Sequence, residues 1–343
     1  MRANQYLAAL AAAALLLTAC GKMDDSSSSS SSGSKPGSGS ASGQKDDAWK
    51  TGLAIRTETE AGDKSGKIHS IAAGVLLDED GRIVQVVLDE LEGKISTTEA
   101  GAVTVAEDLR TKRQKGDEDY PLSAVSSIGK SWAEQADAFG EYLMGMTADE
   151  VSRLSTDADG YAKDADLLSG CTIKVDGYRE AVEAACAQAQ AMGAAEGDSL
   201  ALGIETTDAS TTLQATSDKN AMPQLDVTAA ALTVNGSGRV TSAVCDMAEP
   251  SLKVDAKGMV SGDGEVKSKH VLGDDYGMRK ASALGKEWYE HSDGFAGYLK
   301  GKTAEEIEKI PDDGSDADLA SMCTIDITDL QKSALRAMDT LRS

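Results

Sequence analysis

The sequence is short of aromatic, histidine, proline and basic residues. Its 343 residues include only three Trp, eight Tyr and two Phe, so a hydrophobic core must be built mostly from Ala, Val, Leu, Ile and Met. There are 34 Lys and Arg against 57 Asp and Glu, and the formal net charge is −23. A surface this acidic repels phosphate groups, which argues against nucleic acid as a partner.

Cysteine is also scarce, and its spacing argues against two common kinds of site. None of the five cysteines forms a CxxC pair, a CxxCH haem-attachment motif or a zinc-finger spacing. A c-type haem and a structural zinc site are therefore not expected. Cys171 and Cys323 occupy matching positions in a repeated string, but the sequence alone does not say which cysteines pair in an oxidising compartment.

The chain has one long hydrophobic run, at 6–18, which is too short for a comfortable membrane span and is typical of a signal peptide. It ends in Leu-Thr-Ala-Cys at Cys20, which resembles a lipobox, the cleavage site of bacterial lipoproteins. The alternative is an ordinary secretory signal with an incidental cysteine. We expect a signal peptide over 1–19, then a lipidated Cys20 and a flexible Ser/Gly-rich linker over 20–45. This predicts a protein anchored by lipid to the extracellular face of a bacterial cell membrane.

The rest of the chain contains an internal repeat. The string DADLLSGCTI at 164–173 returns as DADLASMCTI at 316–325. Other matches, such as GKSW ending at Trp132 and GKEW ending at Trp288, keep a similar spacing. These matches predict two duplicated domains, over 46–196 and 197–343, each with its own core.

Both predicted domains have the same order of elements. Alternating residues at 69–77 and 82–88 flank an Asp-Gly turn and predict a β-hairpin, which 226–234 and 239–244 repeat. A short strand is expected at Val103–Val105 and another at 172–175. Strands followed by helices indicate an α+β fold, each domain a small antiparallel sheet with packed helices.

Helices are predicted from apolar spacing and from caps. Trp132 and Trp288 each begin an apolar face at helical spacing, which favours a core position over stacking on a flat cofactor. Thr147 and Thr303, each with Glu three residues on, form capping boxes. Final helices are expected over 178–191 and 329–341. The Gly-Lys-Thr ending at Thr303 is then a helix start and not a phosphate-binding loop.

The histidines argue against a shared catalytic site. His69, His270 and His291 have no histidine counterpart in the other half, so a Ser-His-Asp or Cys-His site cannot be present in both domains. We expect all three at the surface and no catalytic residue. The acidic runs at 78–80 and 312–318 lack the EF-hand pattern, so solvated turns are favoured over calcium and no metal site is expected.

The repeated string itself resembles a cofactor-attachment motif. Residues 166–172 (DLLSGCT) are similar to Asp-x-x-Ser/Thr-Gly-Ala-Ser/Thr of the covalent FMN-binding domain. That family includes subunits of ion-pumping oxidoreductases and Gram-positive extracellular electron-transfer lipoproteins, some with tandem domains behind a lipid anchor. The resemblance implies that a flavin transferase joins FMN, through its phosphate, to the hydroxyl of Thr172. In the second domain the corresponding residue is Thr324.

The other motif positions would have supporting roles. Ser169 and Gly170 are small enough to let the flavin phosphate approach the backbone, and Asp166 could orient a metal-bound phosphate during transfer. In the second domain the matching residues are Asp318 and Ser321, but Met322 replaces the glycine. A methionine there would hinder the transferase, so Thr172 is the favoured attachment point.

Two interpretations therefore stand beside each other. In the first, the protein is a lipid-anchored electron carrier with covalent FMN and not an enzyme with its own substrate. Its partners would be the flavin transferase, a membrane electron donor and the bilayer. In the second, the string is a turn with Asp and Ser caps. The protein would then be a non-catalytic surface lipoprotein whose duplicated domains bind a ligand or another protein.

Overall fold

The computed structural model describes residues 48–262 and 264–342. The predicted signal peptide, Cys20 and the whole of the predicted linker lie outside the described residues. The described residues belong to one compact unit, and the predicted domain boundary at 196/197 falls inside it. No helix within the described ranges is long and apolar enough to cross a membrane.

The first half of this unit contains strands followed by helices. The strands are β1 (Lys50–Gly62), β2 (Ser65–Leu77), β3 (Ile83–Thr97) and β4 (Val103–Val105). The helices are α1 (Lys112–Asp119), α2 (Trp132–Leu143), α3 (Ala148–Ser152), α4 (Ala165–Leu168) and α5 (Asp176–Gln188). The predicted hairpin, the strand at Val103–Val105 and the helix that begins at Trp132 are confirmed.

The second half repeats this order. Its strands are β5 (Ser199–Asp208), β6 (Leu225–Val234), β7 (Val240–Ala248), β8 (Lys253–Val254), β9 (Val260–Ser261) and β10 (Gly264–Val266). Its helices are α6 (Lys269–Leu272), α7 (Trp288–Leu299), α8 (Ala304–Glu308), α9 (Ala317–Ala320) and α10 (Thr328–Thr340). The capping boxes predicted at Thr147 and Thr303 are both present.

The strands form antiparallel sheets. One sheet has the order β10-β1-β2-β3-β4, so an edge strand from the second half completes the sheet of the first. Another has the order β5-β6-β7, and β8 pairs with β9. With helices flanking antiparallel sheets, the predicted α+β class is confirmed.

The two larger sheets pack face to face. Leu53, Ile55 and Ile68 of the first sheet share a buried cluster with Leu202 and Ile204 of the second. The opposite face of each sheet is covered by helices, α2 and α5 on the first and α7 and α10 on the second. Because both faces of the strands are buried, the sequence alternates only loosely between apolar and polar residues. The two halves therefore share a core in addition to a separate core for each.

One expected strand is not formed, and the state of the cysteines, which the sequence left open, is now defined. Residues 172–175 do not form a strand; the backbone makes only an isolated bridge between Lys174 and Tyr161. The described cysteines are free thiols, and Cys171 and Cys323 lie in the separate cores of the two halves. The two tryptophans at matching positions of the repeat are in the core as expected, with Trp132 2% and Trp288 5% exposed.

Candidate functional site

The repeated strings begin as helix caps. The side chain of Asp164 accepts hydrogen bonds from the backbone N–H groups of Asp166 (2.9 Å) and Leu167 (3.2 Å) at the start of α4. Asp316 caps α9 in the same way. Asp166 and Asp318 are exposed in the first turns of these helices. The cap therefore accounts for the first aspartate of each string but not for the threonine at its end.

The small residues of the string let it approach α2 closely. Ser169 Oγ donates to the Asp166 carbonyl at 2.7 Å, and Ser321 Oγ donates to the Asp318 carbonyl at 2.7 Å. A Cβ added at Gly170 would lie 3.0 Å from the Cβ of Ala138 in α2. This tight approach is one reason for glycine at position 170.

In the second half the glycine lies in the facing helix and not in the repeated string. Met322 stands where the first half has Gly170, and the facing helix α7 carries Gly294. A Cβ added at Gly294 would come 2.6 Å from the Met322 carbonyl. The same close contact between string and helix is thus kept with the glycine on the opposite side.

Thr172 is held by a buried glutamine of α2. Gln135 Oε1 accepts from the Thr172 backbone N–H at 2.8 Å and from its hydroxyl at 3.0 Å. The amide nitrogen of Gln135 donates to Ser126 Oγ (3.1 Å) and to the Lys130 carbonyl (3.0 Å). With both ends of its amide engaged, Gln135 fixes the position and direction of the Thr172 hydroxyl.

Thr324 is held by a histidine instead. His291 Nδ1 accepts from the Thr324 backbone N–H at 3.1 Å, so the ring proton of neutral His291 is on Nε2, 2.8 Å from Ser282 Oγ. Burial, helped by the charge of Lys286, lowers the pKa of His291. Its side chain is fully buried, so the prediction of a surface position was wrong for this histidine. A buried acceptor was needed here to satisfy the threonine N–H.

Thr172 opens onto a cavity of about 600 Å³. Four aromatic side chains line it, namely Tyr120, Trp132, Tyr161 and Tyr178. Asp166, Ser169 and Gly170 do not line this cavity, although the motif groups them with Thr172. Thr172, the predicted attachment residue, thus lies beside an aromatic-lined space.

A buried carboxylate network forms one wall of the cavity. Glu90 Oε1 lies 2.6 Å from both His69 Nε2 and Lys112 Nζ, and the Tyr178 hydroxyl donates to Glu90 Oε2. Trp132 Nε1 donates to the Tyr178 hydroxyl at 3.0 Å. Every polar atom named here has a partner, so the wall is held rigidly.

In this network the charged form is stabilised for Glu90 and the neutral form for Tyr178. Burial alone would raise the pKa of Glu90, but the His69 hydrogen bond and the Lys112 charge outweigh it and lower the pKa to about 2. Burial and the neighbouring Glu90 carboxylate raise the pKa of Tyr178 well above 10. Glu90 is therefore an anion and Tyr178 a hydrogen-bond donor at neutral pH.

Part of this wall is absent from the second half. Met247 and Leu330 stand at the positions of Glu90 and Tyr178 in the repeat. Lys269, the counterpart of Lys112, pairs with Glu249 at 2.8 Å. The basic residue and its aromatic neighbours are kept, but the buried carboxylate–phenol pair belongs to the first half.

Sequence reasoning missed Gln135, Glu90, Lys112 and Tyr178. The signal was available for Gln135 and Glu90, because each aligns with a chemically different residue in an otherwise similar half. The motif cysteine is not an alternative reactive group. Cys171 is buried, which raises the pKa of its thiol to about 11.

Comparison with known proteins found no protein family, no curated protein and no solved structure that matches this chain. Among the described residues, no group of three or more His, Cys, Asp or Glu is placed to hold a metal ion. The function is therefore argued from the residues around Thr172.

Proposed function

We propose that the protein is a membrane-anchored extracellular electron carrier with FMN attached through its phosphate to Thr172. The observation that supports this most is the position of Thr172. The motif singles out the hydroxyl of Thr172, and Thr172 lines a cavity of about 600 Å³ with aromatic walls. That volume is within the usual range for sites that bury a small molecule.

The residues present fit the chemistry of the cofactor. A flat aromatic ring system is favoured by apolar and aromatic walls, which Tyr120 and Tyr161 supply here. Lys174 Nζ is 5.7 Å from the centre of the Tyr161 ring, at the same cavity. Lys130 Nζ lies 3.8 Å from the Cβ position at Gly170. Lys174, two residues after Thr172, and Lys130, beside Gly170, are therefore the basic groups closest along the motif to a phosphate ester on Thr172.

When bound, FMN supplies reversible electron transfer, and the protein positions it and tunes its potential. Gln135 orients the Thr172 hydroxyl. The transferase would supply a flavin dinucleotide as the donor: the threonine oxygen bonds to the phosphorus of the FMN part, the diphosphate P–O bond breaks, and the nucleoside monophosphate leaves and takes up the hydroxyl proton. The buried Glu90 anion and its partners His69 and Lys112 set the electrostatic environment of the cavity.

The second half is proposed as the weaker attachment site. Thr324 is exposed, Met322 precedes its cysteine neighbour, and the Glu90–Tyr178 pair has no counterpart there. Lipidation at Cys20 would keep both halves at the membrane, near an electron donor in the bilayer. These features support attachment of one flavin at Thr172. A second flavin at Thr324 would require a transferase that accepts Met322 in place of the glycine.

The test is co-expression with a flavin transferase, followed by a denaturing gel under ultraviolet light and intact mass measurement. We expect a fluorescent band and a mass increase of one FMN. Thr172→Val removes the hydroxyl with little change of shape and should abolish most of the label, whereas Thr172→Ser keeps the hydroxyl and should be labelled. Label that persists until Thr324→Val is added identifies the second site.

A dark band from wild-type protein, in cells where a control flavoprotein is labelled, would overturn the proposal. In that case the cavity beside Thr172 is explained by the second interpretation, a domain that binds a small ligand without a covalent bond. Equilibrium binding of free FMN and of other flat aromatic ligands to the unlabelled protein would then distinguish the candidates.

A further inference from the structure

The loop that precedes the repeated string is longer in the first half than in the second. Residues 153–163 (RLSTDADGYAK) connect α3 to the string, whereas the second half uses the shorter segment 309–315 (KIPDDGS). The helices on either side of the loop have the same lengths in the two halves, α3 and α8 before it and α4 and α9 after it. The additional residues are therefore confined to this loop.

Hydrogen bonds within the longer loop give it a defined turn. The Asp157 side chain accepts from the backbone N–H groups of Asp159 at 2.9 Å and Tyr161 at 3.0 Å. The Asp157 backbone N–H donates to the Tyr161 carbonyl at 2.9 Å. An isolated bridge between Thr156 and Ala162 closes the base of the turn. The tip of the loop, residues 157–161, thus has a fixed backbone conformation.

The tip of the loop is attached to the segment that follows the repeated string. The Val175 backbone N–H donates to the Gly160 carbonyl at 2.8 Å, and Tyr161 forms an isolated bridge with Lys174. Gly160 has a φ of +88°, and a Cβ there would lie 3.1 Å from Asp176 Oδ2. Glycine at position 160 therefore allows both the turn and its close approach to α5.

This tip forms one wall of the cavity beside Thr172. Four of its residues line that cavity, namely Ala158, Asp159, Gly160 and Tyr161. The residues on either side of the tip line a second cavity of about 380 Å³, namely Ser155, Thr156, Ala162 and Lys163. The side chain that the tip contributes with the largest apolar area is Tyr161. It is 37% exposed, so part of its ring is available for contact with a ligand.

We propose that the 153–163 loop covers the flavin of the first half and that Tyr161 is the side chain of the loop that contacts its ring system. The inference rests on the proposed attachment of FMN to Thr172. The shorter loop of the second half contains no aromatic residue, so a flavin on Thr324 would lack this contact. A covered site keeps water and small oxidants away from a reduced flavin. The loop is therefore a reason for the first half to be the better flavin site.

The test replaces residues 153–163 with KIPDDGS in protein labelled by co-expression with the flavin transferase. The fluorescence of the native labelled protein is titrated with acrylamide, a neutral quencher that the acidic surface does not repel. The quenching constant should rise at least about twofold over wild type, because a site that buries most of a ligand has lost one wall.

Tyr161→Ala tests the side chain while keeping the loop. Contact with a tyrosine ring quenches flavin fluorescence, so this variant should be brighter than wild type per attached FMN in the native state. In urea the two proteins should be equally bright. Tyr142→Leu is the matched control, because Tyr142 lines the second cavity and should leave both readouts at their wild-type values.

The inference is overturned if FMN is attached and the shortened loop leaves the acrylamide quenching constant unchanged. Native brightness of Tyr161→Ala equal to that of wild type would overturn the assignment of Tyr161. Wild-type protein without the mass of FMN contradicts the attachment proposal instead, so the two failures are distinguishable. Thermal unfolding shows whether each variant is folded. If the shortened loop prevents folding or labelling, the result for Tyr161→Ala decides.

Discussion

Asp89 and Glu90 are adjacent in β3 and both are buried, but the pKa values of their carboxyl groups are shifted in opposite directions. Burial raises the pKa of Asp89 to about 6, against opposing contributions from the Thr111 hydroxyl and the Arg113 charge. For Glu90 the His69 hydrogen bond and the Lys112 charge overcome burial, and the pKa falls to about 2. Glu90 contacts the basic side chains of His69 and Lys112 directly, whereas the Asp89 carboxylate contacts no basic side chain, and this accounts for the difference between the two pKa values.

The first prediction concerns Glu90→Gln. A carboxyl group whose pKa is lower in the folded than in the unfolded state stabilises the fold above its ordinary pKa of 4.5 and loses that effect as the pH falls toward 2. Glu90→Gln should lower the free energy of unfolding at pH 7 by about 3 kcal/mol. Urea unfolding at pH 7 and pH 3.5 should show a smaller difference at the lower pH.

Glu92→Gln is the control for this variant. Glu92 also pairs with Lys112, at 3.2 Å, but its side chain is 28% exposed, so its loss should cost about 1 kcal/mol or less. Equal losses for Glu90→Gln and Glu92→Gln would show that the buried network does not stabilise the fold in the way described.

The second prediction concerns Asp89→Asn and has the opposite sign. Because the pKa of Asp89 is higher in the folded state, folding is favoured while the group is protonated, and stability falls as the pH rises from about 4 through 6. Asp89→Asn removes this titration. Relative to wild type, the variant should gain about 3 kcal/mol between pH 4 and pH 7, whatever its cost at pH 4.

The measurement is the difference in unfolding free energy between the two proteins at a series of pH values. A difference that stays constant across this range would mean that Asp89 is not the titrating group. Asp137→Asn serves as the control, because it also removes a carboxylate beside Arg113, but one that is half-exposed and not buried.

The third prediction concerns two glycines at matching strand positions. A Cβ at Gly52 would collide with the Ala185 carbonyl of α5, and a Cβ at Gly203 with the Ser333 carbonyl of α10. Backbone atoms cannot move aside without shifting the helix, so Gly52→Ala and Gly203→Ala should each cost at least about 2 kcal/mol. Chemical denaturation measures the loss.

Gly297→Ala provides the comparison. Gly297 lies within α7 with no atom within 4 Å of its Cβ position, so alanine should stabilise the protein by about 0.5–1 kcal/mol. If all three substitutions had the same effect, close helix–strand approach would not be the reason for glycine at positions 52 and 203.

Local patterns in the sequence predicted much of the fold. The hairpins followed from alternation around Asp-Gly and Asn-Gly turns, and the helices that begin at Trp132 and after Thr147 followed from apolar spacing and capping boxes. Strands β1 and β5 were missed, because strands buried on both faces carry no clear alternation. The pairing of β1 with β10 depends on residues more than 200 positions apart, and no local pattern encodes it.

The site was predictable only in part. The motif identified Thr172, which lines the cavity together with four aromatic residues, but it also grouped Asp166 and Ser169 with a space they do not line. The strand expected at 172–175 is absent because Gln135 takes the Thr172 backbone N–H. The Glu90 network joins residues of five elements, β2, β3, α1, α2 and α5, so it became visible only when the fold was known.

The last prediction tests how Thr172 is oriented and rests on its proposed flavinylation. Gln135 Oε1 accepts both the N–H and the hydroxyl of Thr172, whereas His291 in the second half accepts only the N–H of Thr324 through Nδ1. Gln135→His should therefore keep the backbone contact and release the hydroxyl. The rate of FMN attachment, followed by intact mass over time, should fall about tenfold while the fold is retained.

The reciprocal variant His291→Gln controls for effects on the protein as a whole. It lies in the other half, so attachment at Thr172 should proceed at the wild-type rate. A glutamine at position 291 would accept the hydroxyl of Thr324 as Gln135 accepts that of Thr172. A gain of FMN at Thr324 in the same experiment would therefore support the same role for the glutamine. An unchanged attachment rate in Gln135→His would mean that the transferase, and not Gln135, sets the direction of the hydroxyl.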